Sequence, residues 1–277
     1  MPQSPDKAAK YMSPRRGIRS VRMFYWVKAW ELLLGARRKL NRGQDLRRHP
    51  AVSLAAYETY DDWEMRAYEG GSTWTWVAGR MDLVRFTAIR AAYLAPVIAE
   101  IQALAVDGRP VRVLEVGCGN GTNLMLLRAA LPASVALQGI DISPERIRQG
   151  RAYWGERLAG VEMSVDSAIT LATIPDGAVD LAYSVHCLEQ LPYHADACIA
   201  AMARVCTGPL VLVEPVFEHA NTAQRLYAIL GDQLRTLLPA VRAAGLLIRC
   251  SRKTDVLANP LNCTGIVVAT RPEDGPT

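Results

Sequence analysis

Between Val111 and Pro215 short apolar runs alternate with amphipathic stretches. VRVLEV (111–116), VALQGID (135–141), VEMSVD (161–166), VDLAYSV (179–185) and PLVLVEP (209–215) read as strands. Helices are predicted from about Thr122 to Ala130, from Pro144 to Trp154 and over Ala195–Val205. Strand, helix, strand repeated in this way predicts a parallel sheet with helices on both faces. A helix over about Thr222–Ala244 follows, and then LLIRCSRKT and TGIVVAT, two strand runs separated by a dozen residues that contain Asn259-Pro260 and no helix. A parallel crossover needs a packed connection, so this last pair is expected to be antiparallel.

Upstream, Phe86, Ile89, Tyr93, Val97, Ile101 and Leu104 recur at helical spacing, with an interruption expected at Pro96 and a stop at Gly108-Arg109-Pro110. The run from Ile18 to Leu40 has helical composition, but its apolar residues spread around most of the wheel. It fits docking against the body or a second subunit, or an interfacial membrane helix. From Ala51 to Arg80 the chain is aromatic (Tyr57, Tyr60, Trp63, Tyr68, Trp74, Trp76) and acidic (Glu58, Asp61, Asp62, Glu64, Glu69), with a Gly70-Gly71 break, a composition suited to a lid. The expected division is a flexible basic tail over 1–17, a mainly helical extension and lid over 18–109, and the sheet domain over 110–272.

Half of the 277 residues are apolar and 21% are charged, which excludes a disordered or collagen-like chain. No apolar run reaches the roughly 18–20 residues that cross a bilayer, and no secretory signal is read at the N-terminus. The net charge of +5 divides unevenly, +10 in the first 50 residues and −5 in the other 227. Such a leader suits phosphate, an anionic membrane face or an acidic partner, or is simply a solvated arm. The six cysteines form neither a C-x-x-C pair nor a Cys/His cluster, so no metal site or disulfide framework is expected; reduced thiols and the cytoplasm are.

Chemistry concentrates in Val113-Leu-Glu-Val-Gly-Cys-Gly-Asn-Gly-Thr122, which ends a strand and opens a helix. Glycines at 117, 119 and 121 tighten the turn and let a nucleotide-like ligand approach bare backbone. The dinucleotide fingerprint G-x-G-x-x-G requires Gly or Ala where this chain has Thr122. Instead, the segment with Glu115 resembles the first motif of the class I S-adenosylmethionine-dependent methyltransferases, [D/E]-x-G-x-G-x-G. The resemblance is dense over about 110–215 and thinner to 270. It implies a Rossmann-like α/β fold with a seven-stranded sheet, helices on both faces and an antiparallel last strand, preceded here by the helical extension. It also implies S-adenosyl-L-methionine as cofactor, held around Glu115, Gly117, Cys118, Gly119, Gly121 and Asn123.

In that family an acid ending the second strand holds the ribose hydroxyls, which points to Asp141 with Ile142 beside it. An acid ending the third strand meets adenine, which points to Asp166 with Ser167. Read from the residues alone, Asp141 also fits an N-cap for the helix near Pro144, and Asp166 a loop cap. The run from Asp180 to Leu191 resembles the family's fourth-motif region, which implies that Ser184 lies near the methionine part of the cofactor and His186 and Glu189 near the acceptor. Many relatives carry Leu-Glu-His where this chain has Leu188-Glu189-Gln190, and Gln190 cannot act as a base. For an acceptor that carries a proton, His186 is the first candidate base and His194 or His219 the second. Arg80 and Arg85 are candidates for the methionine carboxylate. The expected acceptor is a metabolite, sugar or natural product methylated on O or N. Recruitment to nucleic acid or a lipid-linked glycan through residues 1–50, a homodimer, and a non-catalytic cofactor-binding scaffold stay open. The lack of an Asn-Pro-Pro-Tyr-type tetrapeptide after the fourth strand argues against methylation of a nucleic-acid base.

Overall fold

The structure, a computed structural model, describes residues 63–272. The tail over 1–17, the run over 18–40, His49 and the aromatic positions Tyr57 and Tyr60 lie outside the described residues.

Helix α1 (Trp63–Gly70) leads into a hairpin of β1 (Ser72–Val77) and β2 (Arg80–Arg85), followed by the long α2 (Phe86–Leu104). Then come β3 (Val111–Val116), α3 (Thr122–Ala130), β4 (Val135–Asp141), α4 (Pro144–Trp154), β5 (Val161–Val165), β6 (Leu181–Val185), α5 (Ala195–Val205) and β7 (Leu210–Pro215). The chain ends with α6 (Thr222–Leu230), α7 (Leu237–Ala243), β8 (Leu247–Lys253), the short β9 (Val256–Leu257) and β10 (Thr264–Thr270).

Seven strands form one sheet in the order β5-β4-β3-β6-β7-β10-β8. The first five are parallel, and β10 runs antiparallel to both β7 and β8. The terminal pair therefore has the antiparallel geometry that its short connection requires. The chain winds outward from β3 to β5, then returns to place β6 on the other flank of β3. At such a reversal the loops after two neighbouring strands part, and a crevice opens at their carboxyl ends.

Alternation along the strands divides the core between the two faces. Val113, Tyr183, Val213 and Val268 pack with α2, α3 and α4, whereas Leu114, Ala182, Leu212 and Val267 pack with α5 and α7. Glu115 falls on the first face, so its carboxylate lies inside that core.

Three features differ from the sequence expectation. Helix α2 runs unbroken through Pro96. The helix expected over about 222–244 is two helices: Gly231 N–H closes α6 on the Tyr227 carbonyl at 2.8 Å, Asp232 turns left-handed (φ 52°), and Leu234 is drawn into the core. The aromatic segment contains a hairpin, turned by Ala78 and Gly79 at φ 46° and 88°, the left-handed pair favoured in two-residue hairpin loops. The outer edge of β1 pairs with β9, which makes a separate three-stranded sheet. Among the described residues no helix is long and apolar enough to cross a membrane.

Candidate functional site

The loop after β3 is built from left-handed backbone: φ is 78° at Gly117, 57° at Gly119 and 75° at Gly121. A Cβ at Gly117 would lie 2.2 Å from Cys187 Sγ, and one at Gly119 would lie 2.5 Å from the Arg146 guanidinium. Glycine is required here by both conformation and space. The Gly117 and Cys118 N–H groups donate to the Ile140 carbonyl at 2.9 and 2.8 Å, tying the turn to β4. Asn120 Oδ1 accepts from the Thr122 backbone N–H at 3.2 Å and hydroxyl at 2.6 Å, which starts α3.

Asp141, buried at the end of β4, accepts from Gly119 N–H through Oδ2 at 2.8 Å and from Ser143 N–H through Oδ1 at 2.9 Å. The cap of α4 is Ser143, whose hydroxyl accepts from Arg146 N–H, so Asp141 does not serve as the N-cap. An ionised carboxylate has about four acceptor positions, and two of these remain on Asp141. Arg146 Nη1 lies 3.8 Å from Oδ2. Ile142, next in the chain, is half-buried.

Glu115 is fully buried; Oε1 accepts from Asn123 Nδ2 at 2.6 Å, and Oε2 has no hydrogen-bond partner. Burial, opposed by the Asn123 bond, lifts its carboxyl to about 7. Asp166 differs. Its oxygens accept from Ser167 N–H, Ala172 N–H, Thr173 N–H and the Thr173 hydroxyl, which commits the carboxylate to its own loop. Burial opposes ionisation there, but these bonds outweigh it and hold Asp166 below the usual range. Ser167 Oγ accepts from Ile169 N–H, and Ser184 is buried with an unbonded hydroxyl; neither lines the cleft described next.

A cleft of about 280 Å³ opens over the glycine turn, lined by Gly117, Cys118, Asn123, Arg90, Arg146 and His186 among others. His186 stands just past β6 at φ 54°, with its N–H on the Val213 carbonyl. Its Nδ1 is 3.3 Å from Glu189 Oε2 and its Nε2 3.4 Å from Thr264 Oγ1. The Tyr93 ring packs against it at 5.3 Å between centroids. Burial alone would lower the imidazole pKa, but Glu189 and, behind it, Glu214 more than offset this and hold it above its usual value. Glu189 also accepts from Asn262 Nδ2 at 2.7 Å; burial resists its charge, and His186 and Asn262 keep it below the ordinary carboxylate range.

The other histidines stand apart. His194 precedes α5 with Nε2 buried and unbonded, and His219 pairs through Nε2 with Ser251 Oγ at 2.8 Å. Neither lines the cleft. Arg80 and Arg85 lie exposed on β2, away from it, and Arg80 reaches Asp82 at 3.7 Å. The guanidinium groups that do line it are those of Arg146 and of Arg90 on α2, the latter stacked 4.9 Å from the Tyr68 ring centroid and hydrogen-bonded to the Tyr68 hydroxyl. Helix α2 was legible, but its spacing of apolar residues did not single out Arg90.

These groups set a pH profile for stability. Glu115 and Glu214, both raised to about 7, favour the folded state in their protonated forms, and a raised His186 favours it when charged. Each contribution is lost as pH rises through the folded pKa. Asp166, Glu189 and Asp180, the last held low by Arg112 against burial, act oppositely and lose theirs as pH falls through their depressed pKa values. The melting temperature is therefore expected to peak near about pH 4.5, where all of these contributions are present, and to fall toward pH 8. Calorimetric scans across that range check it, and a maximum above pH 7.5 would contradict the assignment.

Comparison with known proteins agrees with this architecture. A family described as a methyltransferase domain matches residues 113–208. A trans-aconitate 2-methyltransferase of Streptomyces coelicolor is 28% identical over 55% of this chain and 49% of its own length. An ajmaline N-methyltransferase of Rauvolfia serpentina is 34% identical over 42% of this chain and 38% of its own length. The chain thus spans about half or less of the length of these curated relatives. Among solved structures, magnesium protoporphyrin IX methyltransferase from Synechocystis, determined with S-adenosylmethionine bound, matches at a TM-score of 0.55 and 18% identity, covering 83% of this chain and 99% of that one. The putative sarcosine dimethylglycine methyltransferase from Galdieria sulphuraria matches at 0.53 and 12% identity, over 68% of this chain and 87% of that one. With the glycine turn after β3, the acid ending β4 and the antiparallel β10, the chain carries the methyltransferase-domain family match over residues 113–208 and shares the fold of the S-adenosylmethionine-dependent methyltransferases.

Proposed function

We propose that this protein binds S-adenosyl-L-methionine and transfers its methyl group to an O or N atom of a small molecule. The residues fit the cofactor: side chains are excluded at Gly117 and Gly119, Asp141 keeps two acceptor positions, and the buried Glu115 Oε2 has no partner. Asp141 would hold the ribose, Glu115 with Asn123 would face the methionine end, and Arg90 suits its carboxylate. Asp166 shapes its loop, which leaves the adenine edge to backbone groups near Ser167. When bound, the cofactor supplies an electrophilic methyl on a sulfonium, so alignment is the main demand on the protein.

One observation supports proton removal in particular. His186 lines the cleft beside the glycine turn, with Glu189 on one ring nitrogen. A base oriented by a carboxylate suits a hydroxyl or ammonium acceptor. The relatives point the same way, one named for N-methylation of ajmaline and another, from Xanthomonas oryzae and 28% identical over 53% of this chain, for O-methylation in ubiquinone biosynthesis.

The test is incubation with methyl-labelled cofactor and metabolite fractions. Label is expected in a small-molecule product; tight cofactor binding with no transfer across all fractions would favour a scaffold instead. The +10 charge over residues 1–50 supports a second reading, recruitment to an anionic surface or nucleic acid. That reading requires a steep loss of affinity with salt, which a small neutral acceptor would not show.

A further inference from the structure

Glu214 closes β7 and is fully buried, yet no backbone amide of its own strand receives its carboxylate. Instead, Oε1 accepts from the Cys187 and Leu188 N–H groups at 2.8 and 3.1 Å, and Oε2 accepts from Glu189 N–H at 3.2 Å. The three donors are consecutive, and they follow His186, the residue held in left-handed backbone. One carboxylate on β7 thus ties down the backbone entering the short turn over 188–190. A buried acid is costly in this position, and an amide would satisfy the same backbone less fully, because it offers one acceptor oxygen where three N–H groups converge.

We infer that Glu214 is a positioning residue for the His186 base: it pins the backbone that carries Glu189, and its charge lies behind the imidazole as a second carboxylate. The inference rests on the reading of His186 as the base. The groups facing that ring are Glu189 from its own turn, Glu214 from β7, Tyr93 and Arg90 from α2, and the neutral Thr264 from β10. Of these, Glu214, raised to about 7 by burial, titrates in the same range as an imidazole. Two such groups lose their protons in coupled macroscopic steps.

Proton NMR of the native protein with labelled histidine, without any methyl acceptor, tests this. The His186 resonance is expected to titrate in two steps. In Glu214→Gln the curve should collapse to one step with its midpoint lower by about one unit, a tenfold loss of proton affinity. Glu189→Gln should lower the midpoint but keep the second step. A single-step curve in the native protein, or a Glu214→Gln curve superimposable on the native one in a cooperatively melting variant, overturns the proposal. If Glu214→Gln does not fold, the native curve and Glu189→Gln decide the matter. No turnover enters the titration, so a protein that titrates as described but moves no methyl group would defeat the functional reading while leaving the coupling in place.

Discussion

Asp141→Asn is expected to weaken binding of S-adenosylhomocysteine about 100-fold. A hydrogen bond to a charged group contributes roughly 1.5–3 kcal/mol, and the ribose of such a ligand has two hydroxyls to offer. The substitution keeps the shape of the side chain and removes the charge. It also has an internal cost, because Asp141 takes Gly119 N–H on one oxygen and Ser143 N–H on the other. An amide can accept only one of these, so stability should fall by about 1–3 kcal/mol. Both effects are measurable: titration calorimetry well below the melting transition for affinity, and denaturant unfolding for the turn. Unchanged affinity in a folded variant would remove Asp141 from the cofactor site. A large affinity loss with an equally large loss of cooperativity would place its role in the turn alone.

Most of the sheet was legible because each central strand is a compact apolar run bounded by a helix with its own periodicity. β3, β4, α3, α4, α5 and β10 have the expected limits. The acids after β4 and β5 were picked out by their resemblance to the family's motifs. What could not be read is where chain neighbours matter less than the fold. Glu214 sits in PLVLVEP, where a single acid in an apolar run resembles a strand end, and its partners lie 25 to 27 residues away in sequence. Arg90 is one arginine on a long helix, and only the docking of α2 over β3 and β6 brings it to the cleft; Arg80 and Arg85 were equally plausible in composition and lie outside it. Asp166 shows how much the loop itself demands of a motif residue. Its place at the strand end matches the motif, but four donors from the loop over 167–173 already occupy its oxygens. The split between α6 and α7 was hidden because Leu234 fits a helical pattern, and its burial decides otherwise.

His186→Asn is expected to lower kcat by about 10²–10⁴-fold, the usual contribution of a positioned base, while leaving S-adenosylhomocysteine affinity within about threefold. Asparagine is the informative replacement because His186 has φ 54°, and asparagine tolerates left-handed backbone where alanine or glutamine would strain it. The turn over 188–190 is then held as before by Glu214, and Glu189 keeps its bond from Asn262. A fall in kcat consequently reports loss of the imidazole and not loss of the loop. The native pH profile should carry the same signature. A base must be neutral to accept a proton, and Glu189 and Glu214 hold the ring above its usual pKa against the effect of burial. The rate should therefore rise with pH through a limb above about 6.5, with the apparent pKa belonging to the coupled His186–Glu214 pair. In His186→Asn that limb should disappear. If the variant retains both the native rate and the native limb, the proton leaves by another route, and the acceptor is one that reacts without a base.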